Sequence, residues 1–207
     1  TLTLEGDARL DYGEDGALLG GGWGRTTLNL NDNTLTKTGG GIFYLINTQV
    51  DSGTIQVSDG YLEIGCTYTA DDNEKKYTEA GNATILVEKG ASLKVAAGNT
   101  LRIGHLYVDG ELIGNGTVAV WDNGDASIDC STTELNTLNL RQNSNFTGSG
   151  TVNATNLGIL GKTYVSVNEL NVTGNISGSY TLTSGTMNLK GASMTVSGAI
   201  TINDGTM

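Results

Sequence analysis

The chain has 207 residues with 31 glycines, no proline and a formal net charge of −11, from 11 basic against 22 acidic side chains. That balance repels nucleic acid, and the longest unbroken apolar run, Ile42-Phe43-Tyr44-Leu45-Ile46, is far short of the roughly 20 residues a membrane helix needs. Glycine-rich but without a G-X-Y period, and 37% hydrophobic throughout, the sequence fits neither collagen nor a disordered tail; it fits short strands joined by many tight turns.

In chain order, residues 1–25 carry Asp11-Tyr12-Gly13-Glu14-Asp15-Gly16 and Gly20-Gly21-Gly22-Trp23-Gly24 and read as irregular coils. The apolar run 42–46 reads as a strand buried on both faces. From Ile55 onward apolar residues recur as i, i+2 pairs: Ile55/Val57, Leu62/Ile64, Ile85/Val87, Leu93/Val95, Leu101/Ile103, Val118/Val120, Ile128/Cys130, Leu138/Leu140, Val165/Val167, Met194/Val196 and Ile200/Ile202. A period of two is the signature of half-buried strands. Asp59-Gly60, Asp109-Gly110, Asn123-Gly124 and Lys190-Gly191 supply turns between them, so helix has almost no room. Residues 67–83 contain the most hydrophilic stretch, Asp71-Asp72-Asn73-Glu74-Lys75-Lys76, and are expected to project as a loop.

The chain also repeats itself. Ser52-Gly53-Thr54-Ile55-Gln56-Val57-Ser58-Asp59-Gly60-Tyr61-Leu62 returns 145 residues later as Ser197-Gly198-Ala199-Ile200-Thr201-Ile202-Asn203-Asp204-Gly205-Thr206-Met207. Gly185-Thr186-Met187 returns after 20 residues as Gly205-Thr206-Met207, and Gly90-Ala91-Ser92-Leu93-Lys94-Val95 after 101 as Gly191-Ala192-Ser193-Met194-Thr195-Val196. These separations are about seven, one and five units of about 20 residues, the length of three short strands with a turn at each corner. The expected fold is therefore all-β, a right-handed parallel β-helix (β-solenoid) with three-sided coils of about 20 residues. It forms one domain over 1–207 and is expected to be a piece of a longer chain. On that geometry Cys66 and Cys130, 64 residues apart, sit about three coils or ~14 Å apart along the axis, beyond the ~7 Å reach of a disulfide.

The run Asn145-Phe146-Thr147-Gly148-Ser149-Gly150-Thr151-Val152-Asn153-Ala154-Thr155-Asn156-Leu157 resembles the autotransporter-associated β-strand repeat, of general form N-x-Y/F-T-G-G-T-x-V/I-N-x-G-x-L. Ser149 interrupts the two glycines and Asn156 stands where the family has glycine. Residues 52–62 and 197–207 resemble the later half of the same repeat. The resemblance implies a parallel β-helix in a bacterial surface or secreted protein, often an adhesin or its stalk, and it transfers no catalytic residue.

β-Helices also serve as polysaccharide lyases and hydrolases, whose chemistry needs catalytic carboxylates. Asp71-Asp72 and Gly104-His105 are present, but Arg102 precedes the histidine and no R-x-K follows, so the pectin-hydrolase set is incomplete. His105 is the only histidine and is expected at an ordinary strand end. Asp122-Asn123-Gly124-Asp125 and residues 11–16 offer oxygen ligands on glycine turns, as calcium prefers, but lack the spacing of a known calcium loop. The Thr-x-Thr pairs beginning at Thr1, Thr34, Thr67 and Thr181 do not follow the coil period, against an ice-binding ladder. The aromatics Tyr12, Trp23, Tyr77 and Trp121 could stack on sugars, though packing against glycine turns explains them as well. No catalytic, cofactor-binding or metal residue is assigned. The expected function is a non-enzymatic structural or adhesive segment of a bacterial surface or secreted protein. The expected partners are host or matrix glycans or proteins, or other copies of the chain; the alternative is a carbohydrate-active β-helix enzyme.

Overall fold

A computed structural model describes residues 2–11, 17–20, 25–65, 77–130, 134–161, 163–189, 193–202 and 205–206, with side chains described through residue 177. The protein is a parallel β-solenoid with coils of roughly 20 residues and no helix among the described residues. The strand pairings are all parallel, each coil bonded to the one before and after it, with register shifts where long strands turn a corner, as between Ala80 and Thr84 and between Ile103 and His105. This arrangement answers the sequence pattern directly. Short alternating strands cannot bury their apolar side alone, so successive turns of the chain stack and share one core.

Three faces follow from the pairings. The first carries Thr26–Asn29, Thr48–Val50, the leading parts of Tyr77–Val87, Thr100–Val108 and Thr117–Ile128, and the trailing part of Glu134–Leu140. On the second lie Ala8–Asp11, Thr34–Thr38, Gly53–Val57 and the trailing parts of the same long strands. The third holds Ala17–Gly20, Ile42–Ile46, Tyr61–Ile64, Ser92–Val95 and Glu111–Ile113. The strand Asn145–Ile159, which contains the repeat-like run, visits all three: Asn145 pairs with Asp125 on the second face, Ala154 with Leu135 on the third, and Leu157 with Leu138 on the first.

The i, i+2 pairs point inward as their spacing predicts. Ile55, Val57, Leu62, Ile64, Ile85, Val87, Leu101, Ile103, Leu138 and Leu140 are all fully buried, and Cys130 joins the same core. Cys66 lies outside the described residues. Along the second face the register runs Ile55, Ile85, Leu106, Ala126, Phe146, Val165, Leu182, Ile202, which is seven steps. Seven is the number the 145-residue separation predicts, although the stack places Ile202 rather than Ile200 over Ile55. Gly185 pairs directly with Gly205, one coil on. The third separation has a different origin: Leu93 pairs with Leu62 on the third face, whereas Met194 pairs with Ile176 on the first. Strands of any face share the same polar-apolar alternation, so these two similar hexapeptides are not equivalent positions.

Three expectations change. Ile42–Ile46 is buried on one side only: Phe43 and Leu45 are in the core while Ile42, Tyr44 and Ile46 are half-buried. Within residues 67–83, Tyr77 to Ala80 are not a projecting loop, because they pair with Thr100 to Ile103 and place Thr78 and Ala80 inside; Asp71, Asp72 and the rest of the hydrophilic run lie outside the described residues. Residues 1–25 include strands at Leu2–Thr3, Ala8–Asp11 and Ala17–Gly20 that join the regular stack, and residues 12–16 and 21–24 lie outside the description.

Two charged side chains are buried among the described residues, Glu63 nearly and Lys37 completely. Lys37 is 0% exposed. Its Nζ donates to the carbonyls of Thr38 at 2.9 Å, Gly39 at 2.5 Å and Asp59 at 3.1 Å, which gives the buried ammonium the acceptors it needs. It ties one coil to the turn of the next.

Candidate functional site

The corner between the first and second faces is built unevenly from coil to coil. Val120 pairs with Ile103 below and Leu140 above, and Asp125 pairs with His105 below and Asn145 above. Between these fixed points the coil of Trp121 turns with Trp121-Asp122-Asn123-Gly124 and the coil above with Arg141-Gln142-Asn143-Ser144, whereas the coil below turns on Gly104 alone. Only glycine fits that tight corner, since a Cβ on Gly104 would meet the carbonyl oxygen of Gly81 at 2.2 Å.

The short corner leaves a shelf, and Trp121 folds down over it. Its indole Cδ1 lies 3.8 Å from where a Gly81 Cβ would stand, so the ring covers a residue two coils away. Around this ring and Tyr77 the fold collects arginines in alternation. The guanidinium carbons of Arg25 and Arg102 lie 4.9 and 4.3 Å from the Tyr77 ring centroid. Those of Arg102 and Arg141 lie 5.8 and 4.1 Å from the Trp121 centroid. The file Arg25, Tyr77, Arg102, Trp121, Arg141 therefore brings two guanidinium groups within cation–π range of each ring, a contact worth about 0.5–1 kcal/mol apiece near the surface.

The two outer arginines are neutralised. Arg25 reaches Glu79 at 2.5 Å. The Nε of Arg141 lies 3.1 Å from Asp122 Oδ1, though off the N–H axis, so the contact is an ion pair without a directed hydrogen bond. Arg102, in the middle, has no carboxylate within ion-pair distance among the described residues; its company is the two rings.

The Asp122 to Asp125 turn is knitted to its neighbours. Gln142 N–H donates to Asp122 Oδ1 at 3.2 Å, Asn123 N–H to the Gln142 carbonyl at 2.9 Å, and Asn143 Nδ2 to Asn123 Oδ1 at 3.2 Å. Asp125 accepts from Asn145 Nδ2 at 2.8 Å and faces His105 Nδ1 at 3.6 Å. The oxygen ligands that the 122–125 turn offered to calcium are thus drawn into coil-to-coil bonds, and no cluster of three or more His, Cys, Asp or Glu side chains suited to a metal occurs among the described residues; the other candidate run, 11–16, falls almost wholly outside them. A separate shallow groove of about 250 Å³ is lined by Asn115, Leu135, Asn153, Thr155, Asn171 and Thr173, with Asn171 donating to Asn153 at 2.9 Å.

The sequence singled out Tyr77, Trp121, His105 and Asp122 to Asp125 separately, and the fold brings them to one corner. Tyr12, Trp23 and Asp71-Asp72 lie outside the described residues. What the sequence reading missed is the arginines. They look scattered in the chain, yet Arg102, Trp121 and Arg141 are spaced by 19 and 20 residues, one coil each, a signal that the repeat length makes visible. Compared with family models, curated proteins and solved structures, the chain matches none.

Proposed function

We propose that this chain is a non-enzymatic structural and adhesive segment of a bacterial surface or secreted protein, which holds a binding face on a rigid rod. The observation that supports this reading is the direction of its side-chain chemistry. Asp122, Asp125, Asp129 and Asn156 bond to residues of neighbouring coils and Glu79 to Arg25 two coils away, so carboxylates and amides that could have served a reaction brace the stack instead. The core behind them is a continuous aliphatic column. The repeat-like run at residues 145–157 favours the same setting.

Incubation with a panel of pectins, mucin glycans and other polysaccharides, with and without calcium, tests this. Retention on glycans or matrix proteins without chain cleavage is the expected outcome. Turnover abolished by Asp122→Ala or Asp125→Ala would replace the rod reading with that of a carbohydrate-active β-helix.

A further inference from the structure

We propose that the arginine and aromatic file at the Gly104 corner is a binding site for a sugar that carries a single carboxylate, with Arg102 as the group that engages the acid. The inference deepens the display reading above and rests on it, since it names what the displayed face takes.

Charge selects the ligand class. Arg25 with Glu79 and Arg141 with Asp122 cancel in pairs, which leaves Arg102 as the guanidinium of this file with no carboxylate partner among the described residues, in a chain whose net charge is −11. A polyanion, an acidic peptide included, would be repelled by the net negative charge of the protein as a whole. One carboxylate is matched. A guanidinium presents its N–H donors in a planar fork, so it holds a carboxylate through two parallel bonds while its flat faces stay against aromatic rings. Tyr77 and Trp121 both lie within cation–π range of Arg102, which limits its rotamer freedom before any ligand arrives.

The rest of the ligand is read from the neighbours. Glu79 and Asp122 are half-exposed acceptors on either side of Arg102, suited to sugar hydroxyls as donors. The half-buried rings of Tyr77 and Trp121 add apolar surface against which the C–H groups of a pyranose can pack. Acid, hydroxyls and an apolar face together describe a sugar acid better than a simple organic anion.

The test uses the whole chain with Trp23→Phe, which leaves Trp121 as the single tryptophan. Its fluorescence is followed during titration with sodium glucuronate, glucose and sodium acetate at constant ionic strength, alongside saturation-transfer NMR of the sugar protons. Saturable binding of glucuronate is expected, at least about tenfold tighter than glucose or acetate and weakened by added salt. Arg102→Gln, which keeps a planar group but not the charge, should weaken glucuronate at least about tenfold, with circular dichroism unchanged. Should that variant misfold, Arg102→Lys serves: it keeps the charge but loses the fork, and an intermediate affinity is expected. Equal affinity for glucose, no response to glucuronate, or indifference to Arg102→Gln would overturn the assignment. So would concentration-dependent dimers abolished by Arg102→Gln without any sugar response, which would give the face to a second copy. Glycan retention elsewhere on the chain, undiminished in Arg102→Gln, would overturn this site while leaving the adhesive reading standing.

Discussion

Arg141 occupies the same corner position as Trp121 one coil further on, and its guanidinium carbon rests 4.1 Å from the indole centroid. The contact joins two coils through side chains alone. Arg141→Ala should shift Trp121 emission toward the red in the Trp23→Phe background, because one covering group is gone. The loss of stability in urea should be small, about 0.5–1 kcal/mol, since the contact is near the surface.

Gly104 should tolerate no side chain. Gly104→Ala puts a Cβ 2.2 Å from the Gly81 carbonyl oxygen, and the clashing atom is backbone, so the coils themselves must part. A loss of about 2–3 kcal/mol is expected in chemical denaturation. Gly6→Ala is the matched control, because a Cβ there meets nothing within 4 Å, and its effect should stay within about 0.5 kcal/mol.

Lys37→Met keeps the length of the buried side chain and removes its charge. The carbonyls of Thr38, Gly39 and Asp59 then lose a donor inside the core. The expected cost is about 2–4 kcal/mol by urea unfolding, more than a surface lysine could produce. A change below about 0.5 kcal/mol would mean water reaches this turn.

Asp129 should contribute to acid sensitivity. The Ser149 backbone N–H at 2.7 Å, then the Ser149 and Ser127 hydroxyls at 2.8 and 2.9 Å, hold its carboxyl below the usual 3.8. A carboxyl depressed in the folded state stabilises the fold fully above its unfolded value, and that contribution is lost as pH falls through the folded value. Wild type and Asp129→Asn should therefore differ most at neutral pH and converge below about pH 4. The site is exposed, so the difference should be modest and screened by salt. A stability gap that widens on acidification would contradict the assignment.

The solenoid was legible because burial in a stacked coil imposes two periods at once, two within a strand and about 20 between coils. Ile55/Val57 and Leu101/Ile103 show the first, and the Ser52 and Gly185 repeats the second. Register is less legible: the steps along the second face range from 17 residues, Val165 to Leu182, to 30, Ile55 to Ile85, so a fixed ruler lands on Ile200 where the stack places Ile202. Tyr77 to Ala80 deceived for another reason. Thr78 is polar but buried, with its hydroxyl donating to the Leu45 carbonyl at 3.3 Å, and a hydrophilic composition hid a core strand. The site was legible only in parts. Trp121 and Tyr77 stand out as aromatics, but the link between them runs through Arg102. That link depends on Gly104 having shortened a corner, which only the stacked registers reveal.

The parallel ladders also carry a mechanical meaning. Their backbone hydrogen bonds run from one turn of chain to the next, along the long axis, so tension applied end to end loads them directly instead of shearing them. Such a stack yields one turn at a time, and each turn of about 20 residues frees roughly 70 Å of slack chain before the next is engaged. A solenoid under load becomes a tether that lengthens in steps while the turns still wound keep their shape.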